Sequence, residues 1–355
     1  MSQTPNFLCL PADELNSVMD AVGARWDRLR GQRLLLTGGT GFIGKWLLGT
    51  FLHANRELSL GAEVTILSRH PDSFFTQFPE LRGMQGFSWL AGDVRELAVT
   101  DADDYAFAIH AATDVVASST PLDILDTCIT GTRRVLDVMS AGKAARRVLL
   151  LSSGAIYGRT PPEVSVIPES WSGAPSPLSP ASAYGEGKRV SELLGAMAIA
   201  ARPGLEVSIA RCFAFVGPHL PLDKHFAIGN FIRAAMRDEV IQIQGDGTPL
   251  RSYLYASDLA YWLWVMLFDA PSGRAYNVGG TEAISISELA YRVNRVLGST
   301  GGVHVALQHK PSVAPQTYVP SVERIANELG LKPRVQLDEA ILLTARWAGY
   351  TLPRN

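Results

Sequence analysis

Short aliphatic runs alternate with amphipathic segments along most of the chain from Arg33 onward. A short, wholly apolar run is typical of a strand buried on both faces, and a longer amphipathic segment is typical of a helix. Runs of the first kind lie at 34–36, 64–67, 87–90, 107–110, 148–151 and 207–210. The alternation predicts an α/β fold in which helices cover both faces of a doubly wound parallel sheet.

The N-terminal part of the chain precedes this alternation. Val18, Val22 and Trp26 recur at helical spacing within 15–29, so we expect residues 1–30 to form a helical extension packed on the main domain. The sheet domain is then expected over residues 31–211.

The alternation is lost after Arg211, and residues 212–355 are too few for a second sheet of similar size. We expect a smaller C-terminal lobe that closes over a substrate, with return segments to the sheet domain. The apolar run 259–268, which holds Trp262 and Trp264, predicts a buried helix of this lobe. A proline- and serine-rich stretch at 158–181 predicts a loop within the sheet domain.

Composition narrows the classes of partner. The 32 basic and 34 acidic residues give a net charge of -2 and form no long run of one sign, so nucleic acid is not an expected partner. Cys9, Cys128 and Cys212 lack metal-ligand spacing, which predicts no metal site and favours a reducing, cytoplasmic location. The run 259–268 is too short to cross a bilayer, so no membrane partner is expected.

A glycine-rich segment joins the first strand to a helical stretch at 46–52. In this setting Gly38 permits a tight turn, Gly41 lets the backbone approach a pyrophosphate, and Gly44 allows the helix to pack closely on the strand. An anion is favoured at the N-terminus of such a helix. The segment therefore predicts a Rossmann-like dinucleotide site formed by Gly38, Thr40, Gly41, Phe42, Ile43 and Gly44.

The end of the second strand indicates which dinucleotide is bound. Ser68 and Arg69 stand where an acidic residue commonly reads the ribose of NAD. A guanidinium matches a 2′-phosphate in a bidentate manner, so we predict a preference for NADP(H), with NAD as the alternative. The alternative role for Arg69 is a solvated surface arginine.

Later strand ends supply further candidates for contact with the cofactor. Asp93, followed by Val94, is placed either to accept from the adenine amino group or to form a turn. Ala111, Ala112 and Thr113 are small residues that leave room for the middle of the dinucleotide.

A phenol and an amine stand four residues apart at Tyr184 and Lys188, on one face of a predicted helix. Proton transfer by tyrosine near neutral pH requires that its pKa of about 10 be lowered, and a nearby ammonium does this. Ser152 and Ser153 end the fifth strand, at the edge where ligands gather in parallel sheets. These residues predict acid–base chemistry beside the dinucleotide.

These motifs together resemble the extended short-chain dehydrogenases/reductases of the NAD-dependent epimerase/dehydratase family, over about residues 31–345. Further markers of the resemblance are the segments 151–158, 211–218, 251–258 and 276–279. The resemblance implies that Ser153 is the catalytic hydroxyl, with Ser152 beside it at the substrate. It implies that Tyr184 is the acid/base and that Lys188 lowers the pKa of Tyr184 and holds the nicotinamide ribose.

The resemblance also carries expectations about substrate and assembly. Members of the family mostly act on nucleotide-diphosphate sugars, and Arg251 matches the arginine that contacts the diphosphate. A homodimer is expected because relatives commonly pair through a four-helix interface.

Two departures from the family bear on the reaction. Sugar 4,6-dehydratases carry an Asp-Glu pair where this chain has Gly154 and Ala155, and decarboxylating relatives usually carry glutamate at the second position. We therefore expect an enzyme that transfers a hydride at a sugar carbon, C4 by expectation, as a 4-epimerase or a keto-sugar reductase. The alternatives are a 4,6-dehydratase or decarboxylase, and a non-catalytic NADP(H) sensor.

Overall fold

The computed structural model describes residues 7–99, 104–113, 119–142, 146–224, 226–309 and 314–351. The chain divides into two compact units. The first consists of Met1–Gly158, Ser172–Cys212 and Ala260–Tyr276, and the second of Arg159–Trp171, Phe213–Leu259 and Asn277–Asn355.

The strands are β1 Arg33–Thr37, β2 Glu63–Ser68, β3 Phe87–Ala91, β4 Phe107–His110, β5 Arg146–Ser153, β6 Leu205–Cys212, β7 Phe215–Val216, β8 Ile241–Ile243, β9 Leu250–Arg251, β10 Leu254–Tyr255, β11 Ala275–Val278, β12 Ile284–Ser285, β13 Val303–Val305 and β14 Thr317–Tyr318. The helices are α1 Ala12–Val22, α2 Phe42–Glu57, α3 Pro71–Gln77, α4 Pro121–Asp126, α5 Thr132–Ala141, α6 Ala183–Ala201, α7 Ala227–Met236, α8 Ala256–Asp269, α9 Ile286–Val296, α10 Glu323–Leu329 and α11 Leu337–Trp347. A π-helical turn, Thr127–Gly131, joins α4 to α5.

A seven-stranded sheet with the order β11-β6-β5-β4-β1-β2-β3 forms the centre of the fold. Consecutive pairs from β6 to β3 are parallel, which confirms the predicted doubly wound α/β architecture. The six predicted strands are present. The seventh, β11, was not predicted as a strand, because its sequence Ala-Tyr-Asn-Val lacks a continuous apolar run.

The N-terminal segment forms a helix that is shorter than predicted. The α-helix ends at Val22, because Gly23 takes a positive φ of 61°, and a 3-10 helix follows over Gly23–Leu29. Trp26 in this second helix is fully buried, and its ring lies 4.8 Å from that of Trp264. The extension is therefore packed on the first unit.

The apolar run that contains Trp264 forms most of α8, and its burial was predicted correctly. We expected this run in the C-terminal lobe, whereas the segment Ala260–Tyr276 clusters with the first unit. The Trp264 indole donates to the Thr50 hydroxyl in α2 at 2.8 Å, which anchors the helix there.

The second unit contains short strand pairs and the helices α7, α9, α10 and α11. Strand β9 pairs with β12 in antiparallel and with β14 in parallel orientation, and β8 pairs with β13. Within the part of the chain that the structure describes, no helix combines the length and apolar character needed to cross a membrane.

Candidate active site

The glycine turn follows β1 directly. Gly38 has a positive φ of 72°, and a Cβ atom there would lie 2.7 Å from the backbone of Ala111. The turn closes with a hydrogen bond from the Gly41 N–H to the Gly38 carbonyl at 3.1 Å, and α2 begins at Phe42. The first N–H groups of a helix have no acceptor within it, so this turn fits the pyrophosphate of a dinucleotide. The structure thus brings the predicted glycines and the Ala111–Ala112 backbone together.

A chain of buried hydrogen bonds runs behind this turn. The Thr37 hydroxyl lies 2.8 Å from His110 Nδ1, and His110 Nε2 lies 3.2 Å from the Thr132 hydroxyl. Thr132 donates to Ser191 of α6 at 3.0 Å, and Thr37 accepts from the Ala112 N–H at 3.2 Å. The chain connects the end of β1 to α6, the helix that carries Tyr184 and Lys188.

Burial and the charge of Lys188 lower the pKa of His110 to about 3. The imidazole is therefore neutral at neutral pH. A neutral ring with its hydrogen on Nε2 accepts from Thr37 and donates to Thr132, which satisfies both nitrogens. The sequence places His110 at the end of a predicted strand but assigns it no role, because its hydrogen-bond partners are far away in the chain.

Helix α6 places Tyr184 and Lys188 one turn apart. The Lys188 ammonium lies 5.9 Å from the centre of the Tyr184 ring. It donates to the Thr113 hydroxyl at 2.6 Å and to the Leu151 carbonyl at 2.8 Å. The ammonium therefore lies near the Tyr184 ring and contacts both the segment after β4 and the end of β5, while the catalytic roles of the pair stay a prediction.

Close packing of α6 depends on the glycine that follows Tyr184. A Cβ atom on Gly185 would lie 2.7 Å from the Ala155 carbonyl oxygen, in the turn that follows Ser153. A residue with a side chain would force the helix away from this turn. Gly185 therefore allows α6 to pack closely against the turn that follows β5.

Lys188 is buried, with 3% of its surface exposed, and burial lowers its pKa. The nearby carboxylate of Glu192 opposes this shift. Burial raises the pKa of Cys128, and it raises that of Cys212 to about 12, so both thiols are neutral at neutral pH. The low dielectric around Lys188 strengthens the action of its charge on Tyr184.

The two serines at the end of β5 have different partners. The Ser153 oxygen accepts from the Ala155 N–H at 3.1 Å, which leaves its hydroxyl hydrogen as a donor toward a substrate oxygen. The Ser152 hydroxyl donates to Glu192 of α6 at 2.6 Å. Arg211 of β6 pairs with the same carboxylate at 2.7 Å. The hydrogen bonds that join Ser152, Glu192 and Arg211 were not predicted from the sequence, since the three residues lie on different elements.

The end of β2 lies beside the glycine turn, since the Thr40 and Ser68 hydroxyls are 3.3 Å apart. Arg69, the next residue, is exposed. Asp93 caps the 3-10 helix Val94–Glu96 by accepting from the Arg95 N–H at 2.9 Å. Hydrogen bonds from the Arg95 side chain lower the pKa of Asp93. This geometry matches the turn-forming alternative for Asp93, and its contact with adenine remains a prediction.

Arg251 belongs to the second unit, whereas the other candidate residues belong to the first. Its guanidinium lies 5.4 Å from the centre of the Tyr318 ring and donates to the Leu250 carbonyl at 2.8 Å. Burial lowers the pKa of Arg251. Across the described ranges, no group of three or more His, Cys, Asp or Glu side chains could hold a metal ion.

The chain is similar in sequence to a known family of nucleotide-sugar enzymes and their relatives. The sequence model of the NAD dependent epimerase/dehydratase family matches residues 34–279. UDP-glucuronic acid decarboxylase 3 of Arabidopsis thaliana is 29% identical over 315 residues, which cover 88% of this chain and 87% of the relative. UDP-glucuronic acid decarboxylase 1 of Xenopus tropicalis is 29% identical over 320 residues, which cover 89% and 72%.

Solved structures with a similar fold include MoeE5. MoeE5 in complex with UDP-glucose and NAD is 26% identical and superposes with a TM-score of 0.69, covering 89% of this chain and 98% of MoeE5. MoeE5 has also been solved with UDP-glucuronic acid and NAD.

Proposed function

The chain belongs to the NAD dependent epimerase/dehydratase family, and from this we propose that it is an enzyme that oxidises a hydroxyl of a UDP-linked sugar with a nicotinamide dinucleotide. One observation carries the proposal: the buried Lys188 ammonium lies between the Tyr184 ring and the end of β5 that bears Ser153. A sensor requires only the dinucleotide turn, whereas this arrangement costs the burial of a charge. The geometry thus favours catalysis over the sensor alternative.

The residues divide the chemistry as follows. Tyr184 as phenolate accepts the proton of the substrate hydroxyl, because the Lys188 cation favours the phenolate form. Ser153 donates a hydrogen bond to the same substrate oxygen. The turn from Gly38 to Gly44, with the backbone of Ala111–Thr113, holds the dinucleotide, which supplies the hydride acceptor when bound.

For the substrate we propose UDP-glucuronic acid. The curated relatives described above are decarboxylases of this compound, and MoeE5 has been solved with it. These relatives support the decarboxylase alternative better than the 4-epimerase or reductase that the sequence analysis favoured.

Decarboxylation is chemically compatible with Gly154 and Ala155. Oxidation at C4 of a uronic acid places a ketone β to the C6 carboxylate, and such a keto acid loses CO2 as the electron pair of the breaking bond moves into the ketone. The enolate that remains takes up a proton at C5 from water, which gives the 4-keto-pentose. The loss of CO2 needs no side chain to remove a proton from carbon. Dehydration instead needs a base at C5 and an acid at the C6 hydroxyl, and residues 154 and 155 supply neither. Gly154 and Ala155 therefore argue against a 4,6-dehydratase but not against a decarboxylase.

The test is incubation of the protein with UDP-glucuronic acid or with UDP-glucose, each in the presence of NAD and, separately, of NADP, followed by proton NMR and measurement of released CO2. We expect a UDP-pentose or its 4-ketone together with CO2. A C4 epimer without CO2 would replace this proposal by the 4-epimerase. Tyr184→Phe serves as the control and should abolish turnover while it retains cofactor affinity. Cofactor binding without turnover of either sugar by the wild type would favour the sensor.

The preference for NADP(H) also remains a proposal. MoeE5 has been solved with NAD, while the exposed Arg69 beside the Thr40–Ser68 contact is suited to a 2′-phosphate. A reaction in which the hydride returns to the sugar is compatible with either dinucleotide.

We further propose that the protein is a homodimer. Leu122 of α4 exposes 77% of its surface, and Leu193 and Met197, one turn apart on α6, expose 58% each. Helices α4 and α6 contact each other, so these large apolar residues favour an interface on this helix pair. Leu193→Glu should give a monomer in light scattering if these helices form the interface. An unchanged mass would argue against it.

A further inference from the structure

Four side chains from different elements form one hydrogen-bonded cluster behind Ser153. Ser152 donates to Glu192 Oε1 at 2.6 Å, and Arg211 donates to both oxygens of the same carboxylate, from Nε to Oε1 at 3.0 Å and from Nη2 to Oε2 at 2.7 Å. The remaining Nη1 of Arg211 donates to the Tyr157 hydroxyl at 2.8 Å. We name these four residues, Ser152, Tyr157, Glu192 and Arg211, the Glu192 cluster.

The Glu192 cluster is largely shielded from solvent. Glu192 and Arg211 expose 14% and 15% of their side chains, and Ser152 and Tyr157 expose 3% and 1% of their surfaces. The loss of one partner from a buried ion pair leaves an uncompensated charge and destabilises the fold. The two groups must therefore stay in contact. Such a pair specifies the relative position of the elements that carry it.

Those elements also carry the catalytic side chains. Glu192 lies one helical turn after Lys188 on α6, and Ser152 directly precedes Ser153 on β5. Lys188 donates to the carbonyl of Leu151, on the other side of Ser152. Helix α6 is therefore bound to two consecutive residues of β5, through Lys188 to the backbone and through Glu192 to a side chain.

Strand β6, which carries Arg211, also binds β5. Arg211 pairs in register with Ser152, and Cys212 pairs with Ser153. The carboxylate of Glu192 thus contacts both members of a cross-strand pair immediately before the catalytic serine. Misplacement of a reacting group by about 1 Å costs on the order of 100-fold in rate.

We propose that Glu192 is a positioning residue, which sets the distance between Ser153 and Tyr184 by binding Ser152 and Arg211. Ser152 accordingly acts through Glu192 and is not a substrate contact. The inference rests on the proposed function, since it assigns a role within that catalytic site.

The experiment compares Glu192→Gln and Ser152→Ala with the wild type and with Glu186→Gln. Glu186 is a matched control because it lies on the same helix. Its described ion pair, with Arg189 at 3.5 Å, stays within that helix. We expect Glu192→Gln to lower kcat at least about tenfold, with KM for UDP-glucuronic acid and Kd for the dinucleotide changed less than about twofold. Ser152→Ala should lower kcat less, again without an effect on KM. Glu186→Gln should resemble the wild type.

The double variant provides the decisive comparison. If Ser152 acts through Glu192, the two effects on kcat are not additive, and the double variant is no slower than Glu192→Gln alone. A Ser152→Ala variant with raised KM and unchanged kcat would show that Ser152 contacts substrate and would overturn the proposal. Unchanged kcat in Glu192→Gln would do the same. Should Glu192→Gln not fold, Ser152→Ala alone still separates positioning from substrate contact.

Failure of the proposed function gives a different result. In that case the wild type turns over neither UDP-sugar, and hydrogen exchange of the backbone at 153–157 becomes the readout. The proposal then requires faster exchange there in Ser152→Ala than in Glu186→Gln, with exchange in the glycine turn unchanged. Equal exchange in the two variants would overturn it.

Discussion

The Lys188 ammonium and the Thr113 hydroxyl are 2.6 Å apart, a contact that joins the catalytic helix to the segment that follows β4. Thr113 in turn donates to the carbonyl of Ala112 at 2.7 Å, within the backbone that approaches Gly38. One buried cation therefore connects α6, which carries Tyr184, to the backbone beside the glycine turn. The protein can keep this charge buried because its hydrogens are donated to oxygen atoms of two strand ends.

Removal of this charge should change the pH dependence of catalysis. In Lys188→Met the Tyr184 phenolate loses its nearby cation, so the pKa of Tyr184 rises and the ascending limb of kcat against pH moves to higher pH. At pH 7 we expect a loss of about 100-fold or more. Measurement of kcat from pH 6 to 10 checks this, and a profile that is lowered but not displaced would contradict the role given to Lys188.

Gly185→Ala should separate Tyr184 from the end of β5. The added Cβ would lie 2.7 Å from both the Ala155 carbonyl and a ring carbon of Pro175, so the helix must move. We expect a loss of about 1–3 kcal/mol of stability together with reduced kcat. Gly245→Ala is the matched control, because its Cβ meets no atom within 4 Å. Melting temperature and kcat are measured for both variants. Equal values in Gly185→Ala and Gly245→Ala would show that α6 does not pack tightly on the Ala155 turn.

The neutral state of His110 should make the fold sensitive to acid. Its pKa is about 3 in the folded protein, lowered by burial and by Lys188, against 6.5 when unfolded. Above pH 6.5 the imidazole is neutral in both states, and below it the unfolded state binds the additional proton. Stability is therefore lost as pH falls below 6.5, by about 2 kcal/mol at pH 5 from this group.

His110→Asn should reduce this dependence, although the variant is expected to be less stable at neutral pH. Melting temperatures at pH 7.5, 6 and 5 provide the measurement. His304→Asn serves as the comparison, because His304 is exposed and bonds to Gln242 on the surface. If the His110 variant loses as much stability between pH 7.5 and 5 as the wild type, His110 is not the acid-sensitive group.

Arg69→Ala tests the choice of dinucleotide. If the guanidinium binds a 2′-phosphate, Kd for NADPH should rise about tenfold or more, while Kd for NADH changes less than about twofold. Arg133→Ala is a suitable control, since Arg133 is an exposed arginine of α5. Fluorescence titration gives Kd for NADPH and for NADH in the wild type and in both variants. If Kd for NADPH and Kd for NADH rise by the same factor, or if neither changes, Arg69 does not select NADP(H).

Local features of this protein were determined by its sequence alone. The six strands from β1 to β6, the glycine turn and the four-residue spacing of Tyr184 and Lys188 were all recognisable. Each depends on properties of neighbouring residues: the periodicity of apolar side chains, the backbone freedom of Gly38, and the rise of one helical turn.

Tertiary structure decided the rest. Strand β11 lacks the continuous apolar run by which the other strands were recognised, and it becomes a strand because β6 offers it a free edge. Helix α8 joins the first unit because Trp26, far away in the sequence, packs against Trp264. Glu192 contacts Ser152 and Arg211, and His110 contacts Thr37, only because strands far apart in the chain end at the same edge of the sheet. A glutamate or histidine has the same sequence pattern on a surface as in a buried cluster, so only the folded arrangement separates the two.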